Sequence, residues 1–186
     1  LGKDVTAAGV KYVADSAFVV PLDQNRYRLI QGMFEIREEY ADSVAYDITG
    51  WTMPMSFNLD YAQVKGASLG EPYQLSDTFK SSVIGEQDPD KVYAYAFEWT
   101  GFYAPRALNR LLSAGIYAKV TRSEVISPEK TFGYGSIFVP LGQVYQTLSP
   151  KAVKAVIDRI IEEDMIDVYA LTSGYTDGHN VGSPEL

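Results

Sequence analysis

Apolar positions in the second half of the chain predict two strand–helix–strand units. Residues 137–141 form a short apolar run, which is typical of a strand buried on both faces. Ser149 and Pro150 suit the N-cap and the first position of a helix, and apolar residues recur between 153 and 161 at spacings of three and four. Residues 167–172 predict the returning strand, so two parallel strands should be joined by a right-handed crossover.

The other unit of this kind comes earlier in the chain. Residues 92–97 predict a strand, and Pro105 opens a helix. Gly115 suits the C-cap of that helix, and residues 116–120 predict the returning strand. Both units therefore follow the order that is typical of a layered α/β sheet.

The first part of the chain predicts shorter elements. Residues 6–9 resemble the end of a helix, and residues 10–13 predict a short strand. Residues 17–22 predict another strand, and residues 25–39 predict a helix with one apolar face. Residues 40–61 predict a short strand or turn followed by a kinked helix, because Pro54 interrupts them.

These elements predict the fold class and the organisation of the chain. We expect one α/β domain over residues 1–186, a three-layer sandwich with a mostly parallel central sheet built from βαβ units. Residues 65–90 are rich in Gly, Ser, Pro and Asp, which predicts an internal loop or linker, partly extended. Residues 175–186 predict a turn-rich C-terminal connector, and we interpret the chain as a fragment of a larger protein.

Composition excludes several classes of function. The net charge of -8 offers no basic face for nucleic-acid phosphates. No apolar run approaches the roughly 20 residues of a membrane-spanning helix, so we expect no transmembrane segment. The chain has no cysteine, which excludes disulfides, thiolate metal sites and a cysteine nucleophile but leaves the compartment open.

Candidate chemistry is sparse. His179 is the single histidine, so it is either a solvated turn residue or one ligand of a site completed by another chain. Ser173 lacks the G-x-S-x-G spacing of a nucleophile elbow, and residues 133–135 predict a simple turn. Arg106, Arg110 and the acidic residues 162–164 should lie on solvated helix faces. We therefore predict no catalytic residue, no metal ligand and no cofactor in this chain.

Polar residues at the predicted strand ends form a candidate binding cleft. In open α/β sheets, ligands bind outside the carboxyl ends of the parallel strands. Alternatively, these residues cap helices and fill a seam between domains. Glu98 beside Trp99 would offer a carboxylate and an aromatic surface, a pair that suits a sugar or a peptide. The candidate ligand-binding residues are Asp23, Gln24, Glu98, Trp99, Gln143, Thr172 and Ser173.

Several short blocks resemble one protein family. Residues 20–30, 51–54, 99–111, 173–176 and 182–184 resemble, in the same order, the segment that follows the catalytic domain in bacterial zinc carboxypeptidase-like proteins. The resemblance implies a periplasmic or secreted parent whose separate metallopeptidase domain binds zinc, sometimes with an amidotransferase-like domain after this segment. None of the family's zinc ligands, nor its catalytic glutamate, maps onto this sequence.

We consider three hypotheses about the function of this chain. The first is a non-catalytic accessory domain that packs on the peptidase domain of the same polypeptide. The second is a ligand-binding module for a peptidoglycan-type peptide or glycan, using the strand-end cleft. The third is an independent hydrolase, which the single histidine and the absence of cysteine disfavour.

Overall fold

The computed structural model describes residues 1–14, 16–35, 53–71, 80–142, 144–183 and 186. These residues belong to two compact units, Leu1–Asp77 and Thr78–Leu186. Parts of four predicted segments lie outside the described residues: the end of the helix expected over 25–39, most of 40–61, the middle of 65–90, and residues 184–185 of the expected connector.

A β-hairpin opens the first unit. Strand β1 (Val5–Ala7) pairs antiparallel with β2 (Val10–Tyr12). Ala8 and Gly9 connect them with positive φ angles of 49° and 80°, as in a two-residue type I′ turn. The strand expected over 10–13 is thus confirmed by β2. The helix end expected over 6–9 is wrong, because these residues form β1 and the hairpin turn.

Two helices follow among the described residues of the first unit. Helix α1 (Tyr27–Phe34) lies within the helix expected over 25–39, and α2 is the single turn Met53–Ser56. No residue of α1 is buried, although Ile30 and Phe34 on its apolar face are half-buried. The strand expected over 17–22 is wrong, since these residues form neither a strand nor a helix.

The second unit contains the larger sheet. Its strands and helices are, in chain order, β3 (Val83–Gly85), β4 (Ala94–Phe97), α3 (Ala104–Ser113), β5 (Lys119–Val120), β6 (Val125–Ile126), β7 (Thr131–Phe132), β8 (Ile137–Pro140), α4 (Pro150–Asp164) and β9 (Val168–Leu171). β6 and β7 form an antiparallel hairpin of their own. β3 lies inside the segment expected as a loop or linker.

The strand order corrects the predicted fold class. The five-stranded sheet has the order β3-β9-β4-β8-β5, and only the β3–β9 pair is parallel. β4 and β5, joined through α3, are separated by β8, and β8 and β9, joined through α4, are separated by β4. The two predicted units are therefore split βαβ units that interlock, as in ferredoxin-like domains. The expected mostly parallel βαβ sandwich is wrong, because each unit inserts a strand of opposite direction into the other.

Each face of the sheet has its own apolar cover. Tyr95, Phe97 and alternate residues of β8 and β9 pack against α3 and α4 on one face. Ala94 and Ala96 of β4 point to the opposite face, where they meet the β6–β7 hairpin and the C-terminal residues Val181 and Leu186. The described part of the segment expected as a connector thus supplies buried side chains to the sheet.

The ends of the helices agree with the sequence. Ser149 is the N-cap of α4, and its Oγ accepts a hydrogen bond of 3.3 Å from the amide of Ala152. Pro150 is the first residue of that helix, where its missing N–H leaves no bond unmade. Gly115 follows α3 with a φ of 73°, the left-handed conformation expected of a C-cap glycine.

An ion cluster joins α3 to α4 and corrects a second prediction. The Asp164 side chain has no exposed surface, and it accepts hydrogen bonds from Arg106 and, at 2.8 Å, from Nε of Arg110. The Arg106 guanidinium also lies 4.0 Å from the centre of the Tyr103 ring. The expected solvated face is wrong for Asp164, because the polar edges of the two helices meet and exclude water from its carboxylate.

Candidate functional site

Tyr93 marks one end of the large sheet. Its amide donates to the carbonyl of Leu171 at 2.7 Å, and its carbonyl accepts from the amide of Leu141 at 2.9 Å. The residue just before β4 therefore lies between the residues where β8 and β9 end. We call this the Tyr93 end of the sheet. The Tyr93 side chain is 39% exposed, which is unusual beside four consecutive buried residues in β4.

A loop over residues 172–183 covers one side of the Tyr93 end. The amide of Val181 donates to the carbonyl of Gly174 at 3.0 Å, which closes the loop on itself. Inside it, Asn180 Oδ1 accepts from the amide of Thr176 at 3.1 Å. Tyr145 donates its hydroxyl to the carbonyl of Gly182 at 2.7 Å. The loop is thus fixed both internally and against the rest of the second unit.

Two glycines of this loop pack closely against the Tyr93 ring. A Cβ atom at Gly174 would lie 2.4 Å from the ring, and one at Gly182 would lie 2.9 Å from the Tyr93 hydroxyl oxygen. A side chain at either position would therefore require the Tyr93 ring to shift from its observed place.

A pocket of about 540 Å³ opens between Tyr93 and this loop. Three of its polar groups have a hydrogen to donate that no described residue accepts: the Tyr93 hydroxyl, the Ser173 hydroxyl and the Asn180 side-chain amide. Ser173 Oγ already accepts from the amide of Tyr175 at 3.0 Å, which orients it. The pocket is therefore lined by uncharged donors.

A second pocket of about 750 Å³ lies on the other side of Tyr93. Asp90, Gln146 and Ser149 contribute polar groups to its wall, and Gly142 lies beside them. Tyr93 lines both pockets, and we call the two pockets together the Tyr93 cleft.

Only part of the predicted site lies in this cleft. Thr172 and Ser173 line the smaller pocket. Gln143 is outside the described residues. Asp23 and Gln24 are exposed residues of the first unit, where Gln24 donates its side-chain amide to the carbonyl of Pro21.

Glu98 and Trp99 lie at the opposite end of the sheet. Because β4 runs antiparallel to β9, the residues after β4 lie near the start of β9 and far from Thr172. The expected convergence of strand ends is therefore wrong for this pair. Glu98 forms an ion pair of 3.2 Å with Lys130, and Trp99, 40% exposed, packs beside Gly135.

Two charged side chains hydrogen-bond to residues that line the smaller pocket. Glu129 Oε1 accepts from the amide and the hydroxyl of Thr172 at 3.3 and 3.4 Å. Lys119, only 7% exposed, donates Nζ to the carbonyl of Ser183 at 2.5 Å and lies 5.0 Å from the centre of the Tyr145 ring. Burial lowers the pKa of Lys119 below its ordinary value.

Few features of the sequence point to the missed residues of the cleft. Tyr93 looks like any position of the strand expected over 92–97, and period-two alternation does not mark the exposed residue of such a strand. Gly174 and Gly182 both belong to blocks that carry the family resemblance, but a glycine alone does not show what packs against it.

The described residues contain neither a candidate metal site nor a candidate membrane-spanning helix. No three described His, Cys, Asp or Glu residues lie close enough together to hold a metal ion. His179 lies exposed in the turn of the 172–183 loop, where its carbonyl accepts from the Thr176 hydroxyl at 2.7 Å. Among the described helices, none has the length and apolar character needed to cross a membrane.

Comparison with known proteins assigns no family. No protein-family model matches the chain, and no match was found among curated proteins or solved structures. The resemblance to zinc carboxypeptidase-like proteins therefore stays a prediction, and the function has to be argued from the Tyr93 cleft itself.

Proposed function

We propose that the chain is a non-catalytic binding domain that takes a polar peptide or glycan in the Tyr93 cleft. The observation that carries this proposal is the set of uncharged donors, Tyr93, Ser173 and Asn180, which no described acceptor uses. Binding sites commonly combine a preformed concave surface with a few convergent polar groups. Amide carbonyls and sugar hydroxyls would both accept from these donors.

The shape of the cleft favours an elongated ligand. Tyr93 lines two pockets of about 540 and 750 Å³, so a ligand that fills both would contact Tyr93. A flat aromatic ring beside neutral donors suits a peptide backbone or a sugar ring, since both have an apolar face and polar edges. The two glycines leave room for the Tyr93 ring beside the loop, so the ring forms part of the pocket wall.

Titration of the isotope-labelled chain followed by NMR tests the proposal. Glycylglycine and diacetylchitobiose serve as the peptide and glycan probes. We expect at least one of them to shift the amide signals of Tyr93 and of the 172–183 loop. In the Tyr93→Phe variant the dissociation constant should rise about two- to tenfold, as expected for one lost hydrogen bond.

Tyr134→Phe is the matched control. Tyr134 is 77% exposed near Gly135, at the end of the sheet opposite the cleft, so the loss of its hydroxyl should leave binding unchanged. Equal affinity in the wild type and in Tyr93→Phe would show that the ligand does not bind in the Tyr93 cleft. If neither probe shifts the loop signals, the binding function itself is refuted.

A second candidate function is docking to another domain, as the family resemblance implies. Its support is a set of exposed aromatic side chains at the opposite end of the sheet: Trp99, Phe102 and Tyr134 are 40%, 70% and 77% exposed. Aromatic residues are enriched in protein interfaces. On this proposal the chain is an accessory domain of a periplasmic or secreted zinc carboxypeptidase, whose separate catalytic domain holds the zinc. A following amidotransferase-like domain is a further partner that the resemblance implies.

Mixing the chain with a purified zinc carboxypeptidase domain tests this second candidate. Analytical ultracentrifugation should detect a complex, and Trp99→Ala should weaken it while Tyr93→Phe leaves it intact. A complex that survives Trp99→Ala unchanged would rule out this surface, and no complex at high concentration would rule out the docking.

A further inference from the structure

Opposite charges contact two residues in the wall of the smaller pocket of the Tyr93 cleft. Glu129 accepts hydrogen bonds from Thr172, and Lys119 donates one to the carbonyl of Ser183. Both Thr172 and Ser183 line the pocket. The lining residues are uncharged, and among the described residues these two side chains are the charged groups that hydrogen-bond to the pocket wall.

The charge of Glu129 is not neutralised by any described residue. Its Oε1 is used by Thr172, but its Oε2 is buried and has no hydrogen-bond partner among the described residues. The neighbouring Lys130 is directed away, to Glu98 at 3.2 Å. A buried oxygen of a carboxylate without a donor is unfavourable, and a cation nearby would relieve it.

Lys119 likewise has no partner of opposite charge among the described residues. Its Nζ binds the carbonyl of Ser183 and lies near the Tyr145 ring, but no described carboxylate pairs with it. Desolvation of this ammonium is therefore compensated only by a carbonyl dipole and by the ring. An anion on the Ser183 side of the pocket would stabilise it.

The other charges near the pocket are exposed. Asp177 and His179 belong to the same loop but lie on its solvent side, where water and salt screen them. They should contribute less to the potential inside the pocket than the two side chains that hydrogen-bond to its wall.

We propose that the pocket binds a small zwitterion, a free amino acid or a dipeptide, with its ammonium group toward Thr172 and its carboxylate toward Ser183. This inference rests on the proposed binding function and narrows it to ligands that carry both a free ammonium and a free carboxylate. The donors Tyr93, Ser173 and Asn180 would then hold the amide and carboxylate oxygens between the two charged ends.

Three matched probes test the inference on the wild-type chain by NMR titration. Glycylglycine carries both charges, N-acetylglycylglycine lacks the ammonium, and glycylglycinamide lacks the carboxylate. Each blocked probe should bind about three- to tenfold more weakly than glycylglycine, which is the size expected for one charge interaction near a protein surface. Diacetylchitobiose, which is neutral, is included as the fourth ligand.

Two variants assign each charge to its partner. Glu129→Gln should weaken the binding of glycylglycine, because the ammonium group loses the negative charge near it. The preference for glycylglycine over glycylglycinamide should stay unchanged, because these two probes differ only in the carboxylate. Lys119→Met should remove the preference for glycylglycine over glycylglycinamide. The NMR spectra of both variants report whether they fold, and the wild-type probe series decides the matter if one of them does not.

The results distinguish a failure of the zwitterion proposal from a failure of the binding function on which it rests. Equal affinity for the three peptide probes, or binding of diacetylchitobiose alone, overturns the zwitterion and leaves the binding function standing. If none of the four ligands binds, both are overturned.

Discussion

Tyr95 provides the sharpest test of how this sheet is packed. Its ring is fully buried in the apolar layer between the sheet and the two helices, and its hydroxyl has no hydrogen-bond partner among the described residues. A buried hydroxyl without a partner costs about 1–3 kcal/mol. We therefore expect Tyr95→Phe to stabilise the chain by about 1 kcal/mol at neutral pH, part of the gain being lost to the small void that the oxygen leaves.

The same residue predicts how stability changes in alkali. Burial, with a smaller contribution from the negative charge of Asp158, raises the pKa of Tyr95 to about 12, against an ordinary value of 10.0. The unfolded chain loses this proton near pH 10, whereas the folded chain keeps it until about pH 12. The stability contributed by neutral Tyr95 is thus fully present below pH 10 and is lost as pH rises toward 12.

The magnitude follows from the size of the shift. At pH 11 the wild type should have lost about 1.4 kcal/mol more than Tyr95→Phe, and the difference should approach about 2.7 kcal/mol at higher pH, at 1.36 kcal/mol for each unit of pKa. Urea denaturation of both proteins between pH 8 and pH 11.5 measures it. Parallel stability profiles in the two proteins would refute this account of the buried hydroxyl.

Two further predictions concern the ion cluster and the edge of the sheet. Asp164→Asn should destabilise the chain by about 2–4 kcal/mol in urea denaturation, because two arginines lose their buried partner, whereas Glu163→Gln, at a half-exposed neighbour, should cost less than about 1 kcal/mol. Comparable losses in the two variants would contradict the assigned role of Asp164. Gly85→Ala should cost about 1–3 kcal/mol, since φ is 103° and a Cβ would lie 2.7 Å from the carbonyl oxygen of Ala170. Gly133→Ala, where a Cβ meets nothing within 4 Å, is the control, and an equal effect in both would exclude the close approach as the cause.

Local signals predicted six of the nine described elements of the second unit, but not β3, β6 or β7. Ser149, Pro150 and Gly115 mark helix ends through interactions that involve only a few neighbouring residues, so the sequence carries them directly. The β1–β2 hairpin was missed although its turn is equally local. Ala8 adopts a positive φ, which its residue type does not suggest, and only Gly9 is a typical residue for that turn.

The direction of the strands depended on contacts between distant residues. A strand, a helix and a second strand establish that the two strands run the same way, but not that they are neighbours. Strands buried on both faces favoured a parallel sheet, since helices usually cover both faces there. In this chain the second cover is the β6–β7 hairpin with Val181 and Leu186, so β4 is buried on both sides within antiparallel neighbours.

The error in strand direction explains which site residues were found. The rule that ligands bind beyond the carboxyl ends of strands selects one end of a parallel sheet, but in an antiparallel sheet it selects alternate ends. It therefore identified Thr172 and Ser173 at the Tyr93 end and misplaced Glu98 at the far end. In the antiparallel arrangement the residue beside Thr172 comes from the start of β4, and that residue is Tyr93. A cleft between antiparallel strands thus combines residues that follow one strand with residues that precede the next, which is why its central side chain had no signal in the sequence.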